Sequence, residues 1–132
     1  MWRADLPNII YDAGALIAAE GGRRAFLAMH RESLAAEIDP IVPDVVLAQV
    51  WRGSPGQALL SRVLAGCDVA ATGERTARAA GVACGRAKTC DIVDAVVVVT
   101  AVRLGAPVVT DDPTDLRQLA DAVGAPLVLH AP

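Results

Sequence analysis

Short apolar runs and one-sided apolar stripes alternate along the chain, and each change of period marks a change of element. "NIIYD", residues 8–12, is an apolar run of strand type, and "AGALIAAE" behind it is rich in Ala and Leu, both good helix formers. Past Gly21 and Gly22, the apolar residues Phe26, Leu27, Met29, Leu34 and Ile38 keep to one side of a helix. "RRAFLAMHRESLAAEI" therefore reads as an amphipathic helix that stops before Asp39-Pro40. Ile41-Val42 reads as a second short strand, and Pro43-Asp44 opens a short helix over "VVLAQVWR". "SPGQALLSRVLAG" carries helix signals at both ends: Ser54 as N-cap, Pro55 at the first position, Gln57 completing a capping box and Gly66 as the stop. "DVAA" is a weak strand candidate, and "GERTARAAGVACGRAK" is a further helix, loosened by Gly81 and Gly85.

The longest apolar stretch needs a decision between helix and strand. "DIVDAVVVVTAVRLGAP" is rich in valine, a β-former, but it runs from Asp91 to Leu104 before Gly105 and Pro107, a helical length ending in a helix stop. It is read as a helix and, being apolar on nearly every side, is predicted to lie buried in the middle of the domain. "PVVT" follows as a strand. "DPTDLRQLADAVG" reads as a surface helix with Asp112 as N-cap, Pro113 at the first position and Asp115 at the third, and "PLVLH" as a terminal strand. Strands alternating with helices predict one α/β domain over residues 1–132, a three-layer α/β/α sandwich around a mainly parallel sheet of four to five strands.

Composition narrows the function classes. At 132 residues the chain has the size of one ordinary domain, and with 54% hydrophobic and 20% charged residues it can bury a core. Trp2, Tyr11, Phe26 and Trp51 are its only aromatics, too few rings for a reader of single-stranded RNA that works by base stacking. The net charge is −3, and eleven of twelve basic residues are Arg, with Lys88 the only lysine. A broadly basic nucleic-acid surface is thereby disfavoured, while a local arginine rim stays open, Arg75, Arg78 and Arg86 reading first as a solvated helix face.

Cys67, Cys84 and Cys90 form an odd set without a C-x-x-C pair, which fits neither a disulfide framework nor a zinc site and points to a reducing cytoplasm. With no uninterrupted apolar run of about 18 residues, neither a signal peptide nor a membrane span is expected. His30 and His130 lie far apart and are read as surface residues, and Trp51 as a packing residue at a helix end. Ser33, Ser54 and Ser61 lack a G-x-S-x-G setting, and "GSPGQ" is neither G-x-G-x-x-G nor a P-loop, so serine hydrolase chemistry and nucleotide binding of those types are disfavoured.

What remains is acidic. In an open parallel sheet, sites form at the carboxyl ends of strands. Asp12 ends the first predicted strand, Asp111-Asp112 end a later one, and Asp91 and Asp94 begin the apolar helix; six of the eleven aspartates fall between positions 91 and 121. Two of the pairs have a structural reading, Asp91 with Asp94 and Asp112 with Asp115 as N-cap and third-position partners. Asp12 follows a strand and has no such reading. Aspartates meeting at one sheet edge repel each other, and a divalent cation removes that repulsion. Mg²⁺ or Mn²⁺ suits a carboxylate-only site and supports phosphodiester hydrolysis.

"YDAGALIA", "PDVVLAQVWRG" and "DIVDAVVVVTAVRLGAPVVTDDPTDLRQL", spread over nearly the whole chain, resemble a PIN domain, specifically a VapC-type toxin ribonuclease of a type II toxin–antitoxin system. The resemblance implies a PIN-like sandwich, Mg²⁺ or Mn²⁺ dependence, RNA cleavage, a homodimer and inhibition by a small antitoxin. Position by position it makes Asp12 the first acid, Asp94 the third and Asp112 the fourth, catalytic and metal-binding alike. Thr110 matches the small hydroxyl residue before the fourth acid and supports Asp12, and Asp115 is an auxiliary acid or only a cap.

One position departs from the pattern. Gln49 stands where the family usually has glutamate; it keeps a carbonyl oxygen but brings no charge and cannot act as a base. Asp91, one turn before Asp94, is the candidate to supply the missing charge. Two other readings stay open: a weak or inactive PIN-like domain that binds RNA or a protein partner without cleavage, and an α/β binding module whose aspartates are caps.

Overall fold

The computed structural model describes residues 7–132; Trp2 lies outside them. In chain order the elements are β1 (Asn8–Tyr11), α1 (Ala13–Glu20), α2 (Arg24–Ala35), β2 (Asp39–Pro43), α3 (Asp44–Val50), a 3₁₀ turn (Pro55–Gln57), α4 (Ala58–Ala65), β3 (Asp68–Ala70), α5 (Gly73–Ala87), α6 (Ile92–Leu104), β4 (Val108–Val109), α7 (Pro113–Ala122) and β5 (Leu129–His130). All four strand pairings are parallel, and the five strands are ordered β3-β2-β1-β4-β5, the central layer of the expected α/β/α sandwich. Parallel neighbours need crossovers, which is why helices separate every pair of consecutive strands.

The strand order decides where a site can form. From β1 the chain steps outward to β2 and β3, then returns to the other side of β1 for β4 and β5. The reversal puts a crevice at the carboxyl ends of β1 and β4, where such sheets hold ligands. Pairing of Ile10 with Val108 and of Tyr11 with Val109 brings those two ends level, and the Asp12 amide donates to the Val109 carbonyl at 3.2 Å.

Ile10, Tyr11, Val42, Val108 and Val109 are fully buried, and they join Leu16, Phe26, Val46, Leu60, Val97, Val98 and Leu116 in one continuous core. Helix α6 packs on β1 and β2 and against α5 and α7, and α1 packs against α2, α3 and α4.

Several local expectations are corrected. Helix α6 is not buried all round: Ala95, Val96, Val97, Val98 and Ala101 are, but Ile92, Val102 and Leu104 are 47%, 40% and 43% exposed, because the helix runs across the molecule and both ends reach the surface. Ser54 makes no side-chain cap bond, and Gln57 completes no capping box. Instead Gln57 is buried: its amide nitrogen donates to Glu20 Oε1 (2.6 Å) and the Val50 carbonyl (2.8 Å), and its oxygen accepts from the Arg52 and Gly53 amides at 2.8 and 3.1 Å.

His30 is not at the surface. It is 6% exposed, bonds Tyr11 Oη through Nδ1 at 2.8 Å, and stacks against Phe26. Trp51 is 41% exposed at the end of α3 rather than packed inside. Strand β2 is longer than Ile41-Val42 and takes in Asp39, Pro40 and Pro43, while the terminal strand is shorter than "PLVLH", since Pro126 has no N–H to give a ladder. Arg75, Arg78 and Arg86 do lie on a solvated face of α5, where Arg78 bonds Glu74 at 2.7 Å. Among the described residues no helix is long and apolar enough to cross a membrane.

Candidate metal centre

The carboxyl end of β1 delivers Asp12, and the carboxyl end of β4 delivers Thr110, Asp111 and Asp112. Asp12 is 6% exposed and caps α1, its Oδ1 accepting from the Ala15 amide at 3.2 Å. Asp12 thus has the capping role that its position after a strand did not suggest. Thr110, 3% exposed, joins the two strand ends: its hydroxyl bonds the Asp12 carboxylate, and its Oγ1 accepts from the Asp112 amide at 2.9 Å. Burial pushes the Asp12 carboxyl above the usual range, the bonds from Thr110 and Ala15 oppose this, and the charge of Asp111 adds to it. Asp111 lies close against the first turn of α1, where a Cβ on Gly14 would overlap its carboxylate.

The second acidic group is brought together from two helix starts. Asp91 caps α6, its Oδ1 accepting from the Asp94 amide at 3.1 Å, and Asp94 sits half-buried in the first turn. Asp112 precedes α7 and Asp115 occupies its first turn, but the Asp112 side chain makes no cap bond. One carboxylate oxygen each of Asp94, Asp112 and Asp115 lies within 4.8 Å of the other two. Asp12 is not a member of this group; it stands beside it through Thr110.

The electrostatics match that crowding. Burial, then the charge of Asp91 and a hydrogen bond to it, then Asp112 and Asp115, push the Asp94 carboxyl up to about 7. A hydrogen bond to Asp112 and the charge of that carboxylate raise Asp115, with Asp91 adding to the effect. No cationic side chain is among the causes for either group. The donor set, all carboxylate oxygen with unneutralised charge, fits a hard divalent cation such as Mg²⁺ or Mn²⁺.

Gln49 is exposed near the end of α3, which packs against α6. The Arg52 guanidinium folds over the last turn of α3 and donates to the carbonyls of Ala48 (3.4 Å), Gln49 (2.9 Å) and Trp51 (2.8 Å). At the other end of α3, Asp44 accepts from the Thr72 hydroxyl at 2.5 Å and the Thr72 amide at 3.2 Å, which holds its carboxyl below the usual range. Sequence reasoning had no sign of that pair, whose members are 28 residues apart.

Among solved structures, VapBC2 from Rickettsia felis bound to a DNA fragment from its promoter superposes with a TM-score of 0.70 over 94% of this chain and 98% of that chain, at 13% identity. The fold is PIN-like. FitAB bound to the IR36 DNA fragment gives a TM-score of 0.62 over 93% of this chain and 94% of that chain, at 17% identity. No protein-family model and no curated protein sequence matches the chain. Likeness at these identities speaks to the PIN-like backbone alone, so function has to be carried by the acidic residues themselves.

Proposed function

We propose that this protein is a Mg²⁺- or Mn²⁺-dependent endoribonuclease of VapC toxin type, held in check by a small antitoxin and acting as a cytoplasmic homodimer. The observation that carries the reading is the convergence of Asp94, Asp112 and Asp115 within 4.8 Å, beside buried Asp12, at the switch point of a PIN-like sheet. In this proposal Asp94, Asp112 and Asp115 hold the cation, and Asp12 and Thr110 complete the site from β1 and β4. A cation held by these carboxylates would supply the Lewis acidity that phosphodiester hydrolysis needs. Asp91 orients Asp94 by accepting from its amide, and Thr110 fixes Asp12 against the loop that carries Asp112. The likeness to VapBC2 and FitAB supports the toxin-type assignment through the fold.

Gln49 favours a second reading, a PIN-like domain that binds RNA or a protein partner without cutting, because it removes one charge the family pattern expects. Incubating the purified protein with single-stranded RNA and Mn²⁺, with Asp94→Asn as control, separates the two. The first reading expects Mn²⁺-dependent fragments from wild type and none from the variant. RNA left intact by wild type while Gln49→Glu cuts it would establish the second.

A further inference from the structure

A groove of about 450 Å³ opens next to the acidic cluster, lined by Arg23, Thr110, Asp111, Pro113, Arg117 and Leu129 together with the segment that follows β5. It shares its wall with the site, since Thr110 bonds both Asp12 and the Asp112 amide, and Pro113 is the first residue of α7. Two arginines from distant parts of the chain meet there: Arg23 at the start of α2 and Arg117 on the exposed side of α7. Neither has an ion-pair partner among the described residues, in contrast to Arg78, which bonds Glu74, or Arg52, which spends its guanidinium on backbone carbonyls. The one acid in the groove, Asp111, is turned close to the first turn of α1 at Gly14.

We infer that this groove receives the RNA strand next to the cleaved bond, with Arg23 and Arg117 as positioning residues that bind its phosphates. The inference rests on the ribonuclease reading and adds the path of the substrate to it. A chain of net charge −3 with carboxylates at its reactive edge repels a polyanion, so the strand needs local cations beside that edge. Guanidinium groups suit the task, because their forked donors match phosphate oxygens in pairs. The rest of the lining is small or aliphatic apart from the His130 ring, and with no Phe, Tyr or Trp there the groove engages the strand chiefly through its phosphates. Arg75, Arg78 and Arg86 on α5 are excluded from this path and serve as the comparison set.

The test measures binding of a short, labelled single-stranded RNA as a function of salt, in an Asp94→Asn background that stops turnover. Replacing Arg23 and Arg117 with Ala together should weaken binding on the order of tenfold and flatten the slope of log Kd against log salt by about 0.7 for each phosphate that is no longer neutralised. Arg75→Ala with Arg86→Ala should leave both unchanged. An unchanged slope in the groove variant, a flatter slope in the α5 variant, or no RNA binding by the background protein overturns the inference. Both exposed arginines are removed in a wild-type background as well, where the Mn²⁺-induced thermal shift should persist. If wild type shifts with Mn²⁺ and cuts RNA but the groove slope does not move, the groove falls and the ribonuclease stands. If the two arginines carry RNA binding but wild type neither shifts nor cuts, the ribonuclease falls and the groove stands.

Discussion

Asp12 and the trio Asp94, Asp112 and Asp115 lie at the same edge of the sheet and are held in opposite ways. Asp12 is 6% exposed and surrounded by donors, the Thr110 hydroxyl and the Ala15 amide among them. The trio is half-buried to exposed, and the charges and side-chain hydrogen bonds that raise Asp94 and Asp115 come from other carboxylates. A carboxylate with donors is satisfied by the fold itself, whereas carboxylates that face one another are satisfied only by protons or by a cation. The contrast separates what holds the site's frame from what is left for a ligand, and substitutions should tell the two apart.

The largest effect is expected at the frame. Asp12→Ala removes a helix cap, a cost of about 1 kcal/mol, and leaves the buried Thr110 hydroxyl and an amide without their acceptor, a further 1–3 kcal/mol or so. Denaturant unfolding should show a loss of about 3 kcal/mol, roughly a 10 °C fall in melting temperature. Asp12→Asn, which keeps an acceptor for Ala15, should lose far less. Equal, small losses in both variants would mean that Asp12 is no more structural than the trio.

The trio should behave with the opposite sign. Without metal, Asp94→Asn is expected to raise the melting temperature near pH 8, since it deletes a charge held among like charges. The folded-state pKa of Asp94, about 7, is raised above its unfolded value, so its contribution to stability is fully present below about pH 4 and is lost as pH rises through 7. The gain from Asp94→Asn should therefore vanish near pH 4. With Mn²⁺ at a hundred times its dissociation constant, wild type should gain about 2.7 kcal/mol and the variant little. A variant that loses stability at pH 8 without metal would return the trio to the role of helix caps.

How far the sequence revealed this frame depended on the reach of each interaction. Helix α6 was legible because its signals are local: Asp91 caps its start and Gly105, at φ +62°, closes its end in the conformation glycine favours. Asp94, Asp112 and Asp115 were legible as acids at element starts, but the missing cap bond of Asp112, whose side chain meets Asp115 instead of an α7 amide, needed coordinates. Gln57 was misread because its partner Glu20 lies 37 residues away, and His30 because Tyr11 lies 19 away. Arg23 and Arg117 carried no signal at all, since their groove exists only once the start of α2 meets α7 and β5.

A smaller effect tests whether the trio is one charge short. Gln49→Glu should tighten Mn²⁺ binding on the order of tenfold, read from the midpoint of the thermal shift, and lower stability slightly without metal. Unchanged Mn²⁺ affinity would place position 49 outside the metal centre and leave Asp91 as the remaining candidate for the missing charge.

The smallest effect comes from the core and uses pH to compare the two environments directly. Burial, and next the charge of Arg31, lower the pKa of His30 below its ordinary value of 6.5. A histidine depressed in this way contributes stability that is present above the unfolded pKa and lost as pH falls through and below about 6.5, because only the unfolded chain takes up the proton readily. Asp94 acts in the reverse direction over nearly the same range, its protonation favouring the fold as pH drops below about 7. Between about pH 7 and 5 the two slopes oppose each other, so metal-free wild type should show a shallow pH dependence. Asp94→Asn should expose the histidine's downward slope toward acid, and His30→Gln should expose the carboxylate's upward slope. Melting curves of the three proteins across that range would settle it, and parallel curves would show that neither group is held as its surroundings require.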